Sequence, residues 1–175
     1  MKVLFDIVHP AHVHFFKHMI WGLEERGHQT CIVAREKDVT TDLLDGYDFD
    51  YVSVGAAGNK SRLSQLGELL YRVKELVRIG SRFKPDMILT RNPAGVQAAR
   101  LLGTTGVFDT DDGLAAGVHF RAAAPFAHVI TTPDCLQEDY GRKHIKYPGY
   151  KQSAYLHSDL FRPDTAVLKY LEVDG

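Results

Sequence analysis

His9, His12 and His14 fall within six residues, with Pro10 beside them, directly after the apolar run Lys2–Val8. Imidazole is the side chain that titrates nearest neutrality, so the cluster suits proton transfer, metal coordination, or the capping of a helix. His12 would sit in the first turn of a helix, where the positive end of the dipole disfavours imidazolium and leaves a neutral ring able to take a proton from a substrate hydroxyl. That makes His12 the candidate general base, with His9 and His14 beside it. Asp6, His9, His12 and His14 would also be enough ligands for zinc, but His12 and His14, two apart on a helix, point to different sides. His14 and His18 share a face with no obvious third ligand. No metal is therefore expected, and a metal-dependent hydrolase built on the three histidines is the rival reading.

Two further stretches carry polar chemistry. Arg91-Asn92-Pro93-Ala94-Gly95 opens a helix whose free N–H groups, with Arg91, could receive an anion, although Asn92 is equally a natural cap. Asp109-Thr110-Asp111-Asp112-Gly113 offers three carboxylates to orient a base or bind sugar hydroxyls, or else a solvated turn in which Thr110 or Asp112 caps the next helix.

What positions these residues is an alternation of strands and helices. Continuous apolar runs predict strands at Lys2–Val8, Gln29–Ala34, Phe49–Val54, Met87–Leu89, Gly106–Phe108 and His128–Thr131. Between them, the stripe Val13, Phe16, Ile20, Leu23 predicts a helix from Pro10 that Gly27 ends, and Asp38–Leu44 a short helix. After the loop 55–59, Ser61 would cap a long helix whose stripe is Leu63, Leu66, Leu70, Val73, Val77 and Phe83, stopped by Pro85. Pro93–Leu102 follows, then a helical or irregular stretch through Phe120. Thr131-Thr132-Pro133-Asp134 would start a helix, and a last short helix spans Thr165–Leu171. The fold class is α/β: a doubly wound, mostly parallel, Rossmann-like sheet. In that fold, ligands lie beyond the carboxyl ends of the strands where their order reverses, which would gather the three polar stretches at one crevice.

Composition bounds the rest. The 175 residues, 45% hydrophobic and 25% charged, suffice for one substantial core. A net charge of −1 gives no global pull toward nucleic acid, and none is expected as a partner. Cys31 and Cys135 are far apart, without a metal or disulfide pattern, and no leader or membrane-spanning run is present, so a soluble cytoplasmic protein is expected. The Gly-rich fingerprints of dinucleotide and P-loop sites are absent, and no cofactor is expected. Arg62, Arg72, Lys74, Arg78, Arg82 and Lys84 give the long helix a basic face that reads either as solvated or as a peripheral membrane contact. Residues 1–160 are expected to form one domain, with 161–175 leading toward a second.

The run from Met1 to Phe16, together with Glu25-Arg26-Gly27-His28, Ala34–Asp38, Phe108–Asp111, Thr132-Pro133-Asp134 and Tyr147-Pro148-Gly149-Tyr150-Lys151, resembles a microbial family known as domain of unknown function 354. That family is similar to GT-B glycosyltransferases and to UDP-N-acetylglucosamine 2-epimerase. The resemblance implies the N-terminal, acceptor-side half of a two-domain enzyme that processes a nucleotide sugar, UDP-linked by preference, with an unknown acceptor. Completion by a C-terminal domain or partner subunit is implied too, and a non-catalytic binding subunit is the further alternative. Ala11-His12-Val13 resembles the Gly-His-Val after the first strand of the peptidoglycan transferase acting on a lipid-linked acceptor, which implies an acceptor-contacting or basic role for His12. This chain has His9-Pro10-Ala11 where that enzyme has a Gly-rich turn.

Overall fold

The computed structural model describes residues 1–36, 39–56, 62–164 and 166–171. Seven parallel strands form one sheet in the order β3-β2-β1-β4-β5-β6-β7, comprising β1 (Lys2–Ile7), β2 (Gln29–Glu36), β3 (Tyr51–Ala56), β4 (Met87–Thr90), β5 (Thr105–Asp109), β6 (Val129–Pro133) and β7 (His144–Tyr147). The helices are α1 (Pro10–Glu24), α2 (Thr40–Gly46), α3 (Arg62–Phe83), α4 (Pro93–Leu102), α5 (Val118–Ala123), α6 (Ser153–Leu156) and α7 (Ala166–Tyr170). The order reverses between β1 and β4, as a doubly wound sheet requires.

Alternation along β1 sorts the core into layers. Val3, Phe5 and Ile7 pack with Val13, Phe16 and Ile20 of α1 and Leu44 of α2, with Phe5 edge-on to Phe16 at 5.3 Å between ring centroids. Leu4 faces the other side and packs with Val73, Leu76 and Ile79 of α3 and Ala94, Ala98 and Ala99 of α4. Phe108, Ile130 and Phe120 of α5 extend that second layer.

Asp6, on the α3 side of β1, is completely buried and aligned with Val33 of β2 and Thr90 of β4. A buried carboxylate needs partners. Arg72 of α3 supplies them, donating from Nη2 at 2.6 Å and Nε at 2.9 Å to Asp6 Oδ1 and from its amino groups to the carbonyls of Ile7, Val33 and Val54. Thr90 Oγ1 donates to Asp6 Oδ2 at 2.7 Å. One guanidinium therefore ties the ends of β1, β2 and β3 to α3.

Several sequence expectations are corrected here. Arg72 does not belong to the basic face of α3, because it is consumed by Asp6. Leu66 and Leu70 are exposed: of the expected stripe Val73 is buried and Val77 and Phe83 pack partly buried against the core, but Leu76, Ile79 and the partly buried Leu69 take the places expected of Leu66 and Leu70. Residues 131–134 start no helix; β6 continues to Pro133 and the chain goes on to β7, which the sequence reading missed. The second helix begins at Thr40; Asp38, the Ser61 cap, the side chains of Arg62 and Leu63, loop residues 57–59 and the Thr165 start lie outside the described residues.

Candidate functional site

The end of β1 turns directly into α1. His9 is the N-cap, its Nδ1 accepting from Ala11 N at 3.2 Å, and Pro10 occupies the first helical position with no N–H to satisfy. This capping fully engages Nδ1 of His9. His12 lies two residues beyond Pro10 in the first turn, half-buried, its Nδ1 accepting from Val8 N at 3.4 Å. Burial, then the positive charge of Arg91, lowers its pKa from 6.5 to about 3, with His9, Lys151 and His119 adding to the effect. The ring is neutral at physiological pH, and with Nδ1 accepting, Nε2 carries the proton. The ring is neutral as expected, but the cause is burial and the charge of Arg91 rather than the helix dipole. Its poise does not suit a general base, which works best with a pKa near the operating pH; His12 presents an N–H donor.

The loop after β4 supplies Arg91, whose guanidinium lies over the Phe15 ring of α1 at 5.2 Å. Its Nη1 donates to Asp109 Oδ2 at 2.5 Å and its Nη2 to Asp111 Oδ1, so the loops after β4 and β5 are clamped together. Asp109 also accepts from Thr131 Oγ1 at 2.9 Å, and Asp111 pairs with Lys151 Nζ at 2.6 Å. Burial raises the Asp109 carboxyl, which Arg91 and Thr131 only partly offset. For Asp111, burial acts upward but is outweighed by Lys151 and Arg91, which hold it below the usual range. Tyr147, at the end of β7, completes the group: burial, then the charge of the neighbouring Asp109 carboxylate, pushes its phenol upward.

A cleft of about 760 Å³ opens between α3 and α5, and it is lined by neighbours of these groups rather than by His12, Arg91, Asp109, Asp111 or Tyr147 themselves. Val8, next to His9, and Asn92, next to Arg91, line it, and His119 on the opposite wall donates from Nε2 to the Arg91 carbonyl at 3.0 Å. The close fit of α4 behind this wall depends on Gly95, where a Cβ would stand 2.5 Å from the Thr90 side chain.

The structure thus brings together His12, Arg91, Asp109 and Asp111, with His9 at the rim. Asn92, beside Arg91, lines the cleft, whereas His14 and Asp112 lie apart. His14 points to the α2 side, where its Nδ1 hydrogen-bonds with Tyr47 Oη at 3.3 Å and its ring lies 5.6 Å from that of Tyr155 in α6. Asn92 caps α4, its Oδ1 accepting from Ala94 N at 2.9 Å, and Arg91 is committed to two carboxylates rather than open to an anion. Asp112 is exposed, and Thr110 Oγ1 takes the turn-capping role by accepting from Gly113 N at 3.1 Å. Among the described residues no group of three or more His, Cys, Asp or Glu could hold a metal ion. Asp6, bound to Arg72, is removed from any such set. Lys151, Tyr147 and His119 were not singled out from the sequence as site residues. Lys151 and Tyr147 stand within the stretch Tyr147–Lys151 that carried the family resemblance, which was the available signal.

A Rossmann-like half-domain with polar loops at its β1/β4 switch point is the class that this fold and site define. Its fold is similar to the N-terminal half of the architecture shared by UDP-GlcNAc 2-epimerases and GT-B glycosyltransferases. The UDP-GlcNAc 2-epimerases of Methanocaldococcus jannaschii and, bound to UDP-GlcNAc, of Neisseria meningitidis match with TM-scores of 0.75 and 0.73 at 10% and 15% identity. In each case 98% of this chain and 52% of the other are covered. A spinosyn rhamnosyltransferase complexed with thymidine diphosphate matches with a TM-score of 0.61 at 18% identity, over 86% of this chain and 50% of that one. Residues 1–158 match the model of the family described as Protein of unknown function (DUF354), and the chain belongs to that family. An uncharacterized protein of M. jannaschii is 24% identical over 183 residues, 99% of this chain and 53% of its own. The chain thus spans about half the length of the relatives it matches.

Proposed function

We propose that this chain is the acceptor-side half of a GT-B-like enzyme that processes a nucleotide sugar, completed by a donor-binding half in the same polypeptide or in a partner. The observation that carries this reading is the convergence of His12, Arg91, Asp109, Asp111 and Lys151 at the β1/β4 switch point, beside a cleft large enough for a sugar and part of its substituent. The UDP-GlcNAc and thymidine diphosphate held by solved structures of the same architecture support a nucleotide sugar, with a UDP-sugar as the first to try.

Within that reading, His12 is the catalytic candidate, as a neutral donor. Its Nε2–H stabilises negative charge developing on a ligand oxygen, and the locked Nδ1 fixes the direction of that bond. Arg91 and Lys151, neutralised by Asp109 and Asp111, hold the loops in place and deny His12 its proton. The test is turnover of UDP-GlcNAc by the assembly that contains both halves. His12→Ala should lower kcat by about 10²–10³, as loss of one preorganised donor does, while His12→Gln, which can still donate, keeps a larger part of it. Unchanged turnover in both variants would remove His12 from the mechanism. An acidic limb near neutrality that His12→Gln abolishes would restore the general-base role.

A further inference from the structure

The near-zero net charge conceals a two-faced molecule. In the α3–α4–α5 layer Lys74, Arg78, Arg82, Arg100 and Arg121 are all exposed. The stretches 93–108 and 113–133 contain no acidic residue. The described acidic side chains of α3, Glu68 and Glu75, are paired with Arg35 and Arg78. The opposite layer exposes Glu24, Glu25, Asp42, Asp45, Asp48 and Asp50.

The basic layer also leaves large apolar side chains in water. Leu66 and Leu70 are 54% and 59% exposed and Tyr71 52%, all on α3; Leu101 of α4 is 69% and Val118 of α5 81% exposed. Leu66 and Tyr71 of α3 and Val118 of α5 also line the 760 Å³ cleft, so the patch adjoins it. Further along α3, the same exposed side carries Lys74, Arg78 and Arg82 at steps of four residues. Aliphatic tips flanked by exposed cations, of which Arg78 is paired with Glu75, complement a surface that is anionic outside and hydrocarbon beneath. A nucleic acid would call instead for aromatic platforms and base-edge donors among the cations.

We propose that the α3–α4–α5 face docks on an anionic lipid bilayer, with Leu66, Leu70, Tyr71 and Val118 at the headgroup–acyl boundary and the cations against lipid phosphates. The cleft then opens toward the bilayer. This surface stands independently of the sugar chemistry proposed for the cleft.

The test is co-sedimentation with sucrose-loaded vesicles of phosphatidylcholine, with and without about one-third phosphatidylglycerol. The protein should bind the anionic vesicles, bind neutral ones far less, and be released by high salt. Lys74→Gln, Arg78→Gln and Arg82→Gln together should lower the partition coefficient about 100-fold. Leu66→Ser with Leu70→Ser should weaken binding to the same vesicles with an unchanged circular dichroism spectrum, since both side chains lie outside the core. Arg26→Gln, on the acidic layer, should change nothing. Absence of binding to anionic vesicles, or equal binding by the triple glutamine variant, would overturn the proposal. So would vesicle binding indifferent to the two leucines and competed away by a DNA oligonucleotide, which would mark a general polyanion surface.

Discussion

Replacing His12 with Gln should change how stability depends on pH more than it changes stability at neutrality. His12 has a pKa of about 3 in the folded chain against 6.5 when free. Because the folded value is depressed, the unfolded chain takes up a proton below pH 6.5 that the folded chain refuses until about pH 3. The contribution is therefore complete above 6.5 and lost as pH falls. Linkage gives a loss of about 2 kcal/mol between about pH 7 and about pH 5 from this one ring, growing to about 4 kcal/mol near its folded pKa. The figure at pH 5 is the same for any folded value below about 4, since the ring is neutral there in either case. His14 and His18 are shifted downward too, by burial and then Lys17, but they are present in both proteins and cancel in the difference. Urea unfolding followed by the fluorescence of Trp21, which stacks on Phe49 at 5.3 Å, would give the stability of each protein across that range. The gap between wild type and His12→Gln should shift by about 2 kcal/mol toward the variant at pH 5. Parallel pH profiles would show that the ring is not held neutral by the fold, and the donor role assigned to Nε2 would fall with it.

Two other perturbations probe the frame around the site. Arg72→Met, which strands the buried Asp6 carboxylate and three strand-end carbonyls, should cost about 3–5 kcal/mol in urea unfolding, whereas Arg78→Met, breaking an exposed pair, should cost less than about 1 kcal/mol. Equal effects would refute the central role of the Asp6–Arg72 pair. Gly95→Ala should destabilise by about 1–3 kcal/mol because its Cβ would meet a Thr90 side chain already fixed by Asp6. Gly67→Ala, on α3 with open space around it, should stabilise by a few tenths to about 1 kcal/mol, and thermal unfolding of the pair checks both signs.

The sheet was legible where strands are buried on both faces. Among the first six strands β1 is buried almost throughout, β2, β4, β5 and β6 are mostly apolar, and only the edge strand β3, with Val52 41% exposed, departs from that pattern; the switch point placed the loops after β1, β4 and β5 together from pattern alone. β7 was not legible because His144-Ile145-Lys146-Tyr147 is an edge strand, half polar, with Ile145 55% exposed. The register of the α3 stripe was misjudged because Leu residues occupy both sides of its N-terminal half, and only packing on Leu4 and Val33 selects which is buried. Within the site, the local events were within reach: a His and an Asn each before a Pro act as helix caps. The ion pairs were not, since Asp6 and Arg72 are 66 positions apart and Lys151 meets Asp111 only because the chain after β7 folds back over the sheet to α1. One clue was present: a carboxylate inside a doubly buried strand requires a buried cation.

The most direct test of the nucleotide-sugar reading is a titration of the assembly that contains both halves with UDP-GlcNAc, followed by the imidazole nitrogen resonances of the nine histidines of this chain. The account predicts that His12 begins as the neutral form protonated at Nε2, and that its signals move saturably on addition, with those of His9 and His119 responding more weakly. His14, on the far side of α1, should stay in place. Saturable shifts confined to histidines away from the β1/β4 switch point, or none at any of them up to millimolar ligand, would contradict it.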